Sequence, residues 1–446
     1  MVARTPTQPG TSAARAAQAK AAGGSTAKPA SSVSPSKSST AAGTKAPAAP
    51  VAPVKSAKKW QRIFGRINAR AGRPSASYYW IIATTVALTC IGLMTVLSAS
   101  AAESISEGAD PYALFVRAAI FALVGMVVMM ALSFVGAEGL RKIAWPAIIL
   151  AVILLMAVVF TPLGRSAGGN TNWINLGGSL SFQPSEAAKL ALALWMGAVM
   201  ARKGRLVSDW RHTILPVVPV GIALVALILK GDDLGTAVIV MGILGAGLFF
   251  GGGSKRVLIL AIVVGAAAAL ILAAVSGNRT ARLAGWLGKC NDTDGLCDQA
   301  QNGLYALASG GWFGVGLGQS RQKWSWIPEA HNDFIFAIIG EEFGLLGTIV
   351  ILGLYGVLAF AIFTVVMKRN DTFARVVCGS ILFWVIGQAV ANIAMVTGLL
   401  PVIGVPLPLI SYGGSSLIMV LAAIGIVLSF ARTDPTAAIK ERTKSS

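Results

Sequence analysis

The feature that most constrains this chain is its series of long, nearly uncharged apolar segments. They fall at 78–100, 113–135, 142–161, 186–200, 213–229, 235–250, 257–275, 334–367, 373–400 and 409–430. Runs this long are not stripes on a soluble core. They predict helices that cross a bilayer, because a helix satisfies its own backbone polar groups in hydrocarbon. Composition agrees: 55% of residues are hydrophobic and 12% are charged, against about 25% charged in a soluble domain. The expected fold is an all-α polytopic membrane protein with ten transmembrane helices over 78–432 and a short tail at 433–446.

An even number of spans puts both termini on one side. The loops of that side carry Arg141, Lys142, Arg202, Lys203, Arg205, Arg211, Lys255, Arg256, Lys368, Arg369 and Arg375. The positive-inside rule therefore places both termini in the cytoplasm. Of the connections left outside, three stand out: 162–185, the KGDD turn at 230–233, and a large loop at about 276–332. Loops of such length are usually functional.

The net charge of +19 has a local origin. Roughly two thirds of it lies before Tyr78, in a stretch with no Asp or Glu. Residues 1–54 are rich in Ala, Ser, Thr, Pro, Gly and Lys and are expected to be a disordered tail. A basic tail beside a membrane helix suits anionic lipid, and no nucleic-acid partner is expected. Within 55–77, Trp60, Ile63, Phe64 and Ile67 recur at helical spacing opposite basic residues, which reads as an interfacial helix. Cys290 and Cys297 bracket the polar run CNDTDGLC. Outside the cytoplasm they are a disulfide candidate; two free thiols are the alternative.

The unusual polar residues concentrate in the outer half of the spans and in the outer loops. PEAHNDFIFAIIGEEFG, at 328–344, runs from ionisable residues straight into an apolar helix. Asp333 at the seam reads either as a helix cap or as a base in a half-desolvated site. Glu341, eight residues on, is expected about 12 Å deeper on the same helix face, paired with a buried cation. Lys189 is a candidate for that cation, although Glu186 lies three residues before it and suits pairing along the helix. Trp173, in a Gly-rich loop, suits either a sugar face or an interfacial anchor. Ser185 reads as a helix cap, and Asp233 as either a cap or a polar wall of a cavity. Gln388 and Asn392, four apart, read as polar glue between helices. PLPLISYGGSS, at 406–416, suits an unwound helix start.

The same stretches carry a family resemblance. WINLG at 173–177, QPSEAAK at 183–189, DLGT at 233–236, PEAHNDFIFAIIGEEFG and PLPLISYGGSS occur in this order in the SEDS family, the FtsW/RodA-type proteins of bacterial cell-wall synthesis. The chain resembles that family from 78 to 430, and its details are most similar to the division branch, FtsW. One departure is Asn172, where many relatives carry a basic residue.

The resemblance implies a peptidoglycan glycosyltransferase acting on lipid II and on undecaprenyl-pyrophosphate-linked glycan at the outer face of the cytoplasmic membrane, at the division septum. Asp333 matches the family's essential Asp and would be the general base. Trp173, Glu186, Lys189, Asp233, His331, Asn332, Glu341, Ser411, Gly413, Gly414 and Ser415 are the candidate substrate-binding residues. The departing pyrophosphate calls for positive charge, from Lys230, Arg279, Arg282, Lys289, Arg321 or Lys323, or from Mg2+ or Mn2+ at a site the sequence does not locate. The implied partners are a class B penicillin-binding transpeptidase and other membrane proteins of the division machinery. Two competing readings share this fold: a lipid II flippase and a non-catalytic scaffold for the transpeptidase.

Overall fold

The computed structural model describes residues 75–432, apart from 107, 109, 168–169, 176–180, 325–326, 328–329 and most of 262–295. The basic tail with its interfacial segment, the C-terminal tail, most of the seventh expected span and Cys290 lie outside the described residues, as does the side chain of Cys297.

The described helices are α1 (Ala76–Ser106), α2 (Ala113–Leu132), α3 (Ala137–Phe160), α4 (Pro184–Lys203), the short α5 (Trp210–Ile214), α6 (Val217–Lys230), α7 (Leu234–Phe250), α8 (Leu296–Ser309), α9 (Ile335–Lys368), α10 (Thr372–Leu382), α11 (Gln388–Val396) and α12 (Gly414–Arg432). Among the described residues, seven segments are long and apolar enough to cross a membrane, counting α5 with α6 and α10 with α11 as one segment each. The apolar α7, with 17 residues, is shorter. The protein is a polytopic helical membrane protein. Helix α4 is deeply enclosed. It carries Glu186 and Lys189, yet nearly every residue from Pro184 to Met200 is buried. Such a helix belongs inside the bundle, where charges face protein and not lipid.

Several boundaries differ from the sequence reading. The connection at 162–185 is not merely a loop. It folds into a three-stranded antiparallel sheet of β1 (Gly164–Ala167), β2 (Asn170–Asn175) and β3 (Ser181–Phe182), with Arg165 opposite Trp173. The last span begins at Gly414 and not at 409, because 401–407 have no regular structure and 408–410 form a turn. A π-helical turn, Phe383–Gly387, joins α10 to α11.

The largest departure lies in α9. Gly344 has φ 67 and ψ −165, so the helix breaks there. The segment from Gly310 to Gly316 docks into the break. Val315 and Gly316 N–H groups donate to the Glu341 and Glu342 carbonyls, and Leu345 and Leu346 N–H groups donate to the Gly311 and Trp312 carbonyls. The part after the break has 24 residues, about 36 Å, which alone exceeds a hydrocarbon core of about 30 Å. The part before it, 335–343, is a half-helix that leads up to the break.

Its direction can be read against α1. Gly92 meets the backbone of Leu409 and Ile410, whereas Ser98 donates to Glu342 at 2.5 Å. Six residues along a helix are about 9 Å. The Tyr412 N–H donates to His331 O at 3.0 Å, which puts the His331 turn beside the 409–412 segment. The half-helix therefore runs from Asp333 toward the far end of α1. Glu341 is not deeper than Asp333, as the uninterrupted helix had implied.

Candidate active site

His331, Asn332 and Asp333 form a turn that precedes α9. His331 is buried, and Asn332 and Asp333 are half-buried. Asp333 is not the cap of α9: that position is Phe334, which makes no side-chain cap bond. Irregular backbone inside a membrane domain must still satisfy its polar groups. Here buried side chains do so. Ser411 Oγ donates to Asn332 O at 2.7 Å and accepts from Leu407 N at 2.7 Å. Asn392 Nδ2 donates to Asp333 O and to Val405 O, both at 2.7 Å. Gln388 Nε2 donates to Pro406 O at 2.9 Å, and the Tyr355 hydroxyl donates to Pro408 O. The rings of His331 and Tyr412 meet edge-on at 5.5 Å. The turn and the 401–413 segment thus form one bonded unit.

A second cluster adjoins it. Lys189 Nζ pairs with Glu186 Oε1 at 2.8 Å and donates to Gln388 Oε1 at 3.0 Å, which also accepts from Trp384 Nε1 at 3.1 Å. Glu186 and Lys189 are 2% and 1% exposed, so this is a fully desolvated pair. Gln183 leads α4: its N–H donates to Ser415 Oγ at 3.2 Å and its Nε2 to Asp233 Oδ2 at 3.3 Å. Asp233 caps α7 through Thr236 N at 2.8 Å, as its position suggested. Burial pushes the Asp233 carboxyl above its ordinary value of 3.8, opposed by its bonds with Thr236 and by the charge of Lys189. Ser185 does not cap α4; Gln183 holds that position and Pro184 follows it. These bonds connect the N-terminal ends of α4, α7, α9 and α12. The positive ends of helices favour an anion.

The structure brings together Glu186, Lys189, Asp233 and Ser415 in one cluster, and His331, Asn332, Asp333 and Ser411 in the other. Gln388 and the 401–413 segment, which includes Gly413, join the two. Gly414 begins α12 against Phe121. Glu341 stands apart. Its carboxylate accepts from Ser320 Oγ at 2.5 Å and from Arg321 N at 2.9 Å, so it pins the docked loop and does not meet Lys189. Glu342 likewise pairs with buried Lys323 at 3.3 Å. That pair removes Lys323 from the free cations expected near a phosphate. Lys230 remains exposed, over the Phe160 ring at 4.8 Å, and Arg321 is exposed. Arg279, Arg282 and Lys289 lie outside the described residues. Trp173 is half-buried in β2, whose Thr171 N–H donates to Gly231 O at 3.0 Å beside Asp233. A narrow cleft lies between α1, α2 and 409–414, walled by Gly92, Leu93, Phe121, Ser411 and Gly413. Among the described residues, no three His, Cys, Asp or Glu side chains come together as a metal site.

Sequence reasoning placed Gln388 and Asn392 only as helix glue and missed Tyr355, Gln183 and the Lys323–Glu342 pair. The signal for Tyr355 was the single tyrosine of a long apolar helix. Lys323 follows Arg321 in a Gly-rich loop.

Fold and site together define a polytopic membrane protein whose buried polar centre is built where helices are interrupted. The chain belongs to the FtsW/RodA/SpoVE family, described as cell cycle proteins, which it matches over residues 79–435. It is 39% identical over 373 residues to the probable peptidoglycan glycosyltransferase FtsW of Mycobacterium tuberculosis, covering 83% of this chain and 71% of that one. It is 32% identical to the stage V sporulation protein E of Bacillus subtilis, over 79% of this chain and 96% of that one. Two solved structures share the fold at 27% identity. One is a chain of a peptidoglycan synthase complex that coordinates polymerization and crosslinking, with TM-score 0.65, covering 79% of this chain and 97% of that one. The other is the rod shape determining protein RodA of Thermus thermophilus, with TM-score 0.59, covering 80% of this chain and 96% of that one.

Proposed function

We propose that this chain is a peptidoglycan glycosyltransferase that polymerises lipid II at the outer face of the cytoplasmic membrane during septal wall synthesis, with Asp333 as general base. Ten spans and cytoplasmic termini complete the reading. The observation that carries it is the half-exposed Asp333 turn, fixed through its backbone at the meeting point of four helix N-termini. A base is needed because the acceptor sugar's 4-hydroxyl is a weak nucleophile until its proton leaves. That proton passes to the Asp333 carboxylate. The 4-oxygen then bonds to the anomeric carbon of the growing chain. The bond from that carbon to the lipid pyrophosphate breaks, and the pyrophosphate leaves with the electron pair.

The surrounding chemistry suits such a substrate. The bonded N-terminal ends of α4, α7, α9 and α12 would favour the leaving phosphates, where negative charge grows. The described carboxylates form no cage of their own, so Mg2+ or Mn2+ is proposed as an ion that arrives with the pyrophosphate. A class B penicillin-binding transpeptidase is the proposed partner, since crosslinking must follow polymerisation; the relative within a peptidoglycan synthase complex supports this.

The test is polymerisation of labelled lipid II by the purified chain, with and without the transpeptidase, in Mg2+ or Mn2+. Asp333→Asn runs alongside, with folding checked by thermal melting. Glycan strands from the wild type and none from a folded Asp333→Asn are expected. Equal polymer from both removes Asp333 from the chemistry. No polymer from any sample with active transpeptidase favours the flippase, to be measured by translocation in vesicles.

A further inference from the structure

Asn392 lies one helical turn beyond Gln388 on α11, and both are 0% exposed. The two carboxamides have different tasks. Gln388 ties Pro406 O to the Lys189 ion pair. Asn392 ties Val405 O to the backbone of Asp333 itself. A carboxamide nitrogen has two hydrogens, and both are used on these carbonyls. The pairing also fixes which end of the amide faces them, since an oxygen there would meet two acceptors. The π-helical turn Phe383–Gly387 immediately precedes this pair. Such a turn inserts an extra residue, rotates the face of everything after it, and is frequent at functional sites.

We infer that Asn392 is a positioning residue for the reaction, holding the Asp333 peptide at a fixed distance from the 405–406 backbone so that the carboxylate meets the acceptor hydroxyl. The inference rests on the reading of Asp333 as base. It differs from helix glue in what it predicts. Glue contributes stability, and its loss lowers the melting temperature. A positioning bond sets the place of a reacting group, and its loss lowers kcat while substrate is still held. Displacement of about 1 Å can lower a rate by about 100-fold.

The experiment uses the full chain with its transpeptidase and two variants with the same number of side-chain heavy atoms. Asn392→Leu removes the amide and both donors; Asn392→Asp keeps the shape with one donor at most. Lipid II polymerisation gives kcat and KM, and hydrogen exchange by mass spectrometry reads the peptide spanning 331–336. The expected result is a fall in kcat of about 10- to 100-fold, KM within about 3-fold, and faster exchange in 331–336. Unchanged exchange in that peptide overturns the inference. So does an unchanged kcat, or a raised KM with kcat intact. Asp333→Asn in the same assay judges the base separately: full activity there ends that reading, while exchange at 331–336 still reports whether Asn392 holds the turn.

Discussion

Gly344→Ala is the sharpest test of how α9 is built. At φ 67, an L side chain costs about 1–2 kcal/mol relative to glycine. The added Cβ would stand 2.4 Å from Gly314 N, 2.7 Å from Phe313 N and 2.7 Å from the Trp312 carbonyl carbon. These are backbone atoms, so no side chain can swing aside. The docked segment must retreat, which endangers the bonds from Val315 N to Glu341 O at 2.9 Å and from Gly316 N to Glu342 O at 3.1 Å. Two lost backbone bonds add about 2 kcal/mol, for a total of about 3–4 kcal/mol. Gly353→Ala is the internal control. It lies in the same helix with nothing near its added Cβ, and is expected to stabilise by about 0.5–1 kcal/mol. Thermal melting in detergent and hydrogen exchange over 310–324 and 339–347 read both variants. If Gly344→Ala melts like Gly353→Ala with unchanged exchange, α9 is a continuous helix and the reasoning fails.

Three further outcomes follow from the site. Lys189→Met leaves Glu186 buried without its cation and should destabilise by about 3–5 kcal/mol, while Lys189→Met with Glu186→Gln recovers most of the loss; melting of the single and double variants decides it. Gly92→Ala puts a Cβ 2.6 Å from Ile410 Cα and 2.8 Å from Leu409 O, displacing the segment that carries Ser411, so lipid II polymerisation should fall about 10- to 100-fold; a rate within 2-fold would show that the segment yields freely. The raised Asp233 carboxyl has a definite sign: its favourable contribution is present below the unfolded value, near 3.8, and is lost as pH rises through the higher folded value. Melting of the wild type relative to Asp233→Asn should therefore decline as pH rises from about 4 toward neutrality, and parallel curves would place the carboxyl in water.

The membrane class was legible because apolar length is a local property, and so were most spans. The motifs around Asp233, Asp333 and Ser411 stood out because ionisable or Gly-rich sequence beside apolar sequence is conspicuous. What was hidden depends on distant partners. Nothing local to GEEFG announces that Gly311 and Trp312 will supply its missing hydrogen bonds, so α9 read as unbroken and Glu341 was placed at the wrong depth. Glu341 was also matched to Lys189, since its actual donors, the Ser320 hydroxyl and the Arg321 N–H, lay in a loop with no readable path. The strands of 162–185 were obscured by glycines that break any alternating pattern. Helical spacing put Gln388 and Asn392 on one face, but not the carbonyls they serve.

The same accounting explains why the site sits where it does. A helix in a membrane has no spare backbone donors along its length, so backbone groups can meet a ligand only at interruptions. Each interruption leaves backbone groups that need partners. In this chain those partners are Ser411, Asn392, Gln388 and Tyr355, each bonded to a carbonyl between 332 and 408. The side chains that make irregular backbone tolerable are therefore the ones that locate Asp333. Stability and placement are coupled at these positions, but unequally. Loss of Gln388 should weaken the ion pair and the fold together, whereas loss of Asn392 acts on the Asp333 peptide directly. Melting temperature and kcat should consequently separate between Gln388→Leu and Asn392→Leu: the first lowers melting more, and the second lowers kcat more. Equal ratios of the two effects would mean that the unit moves as one rigid body and that no single bond sets the position of Asp333.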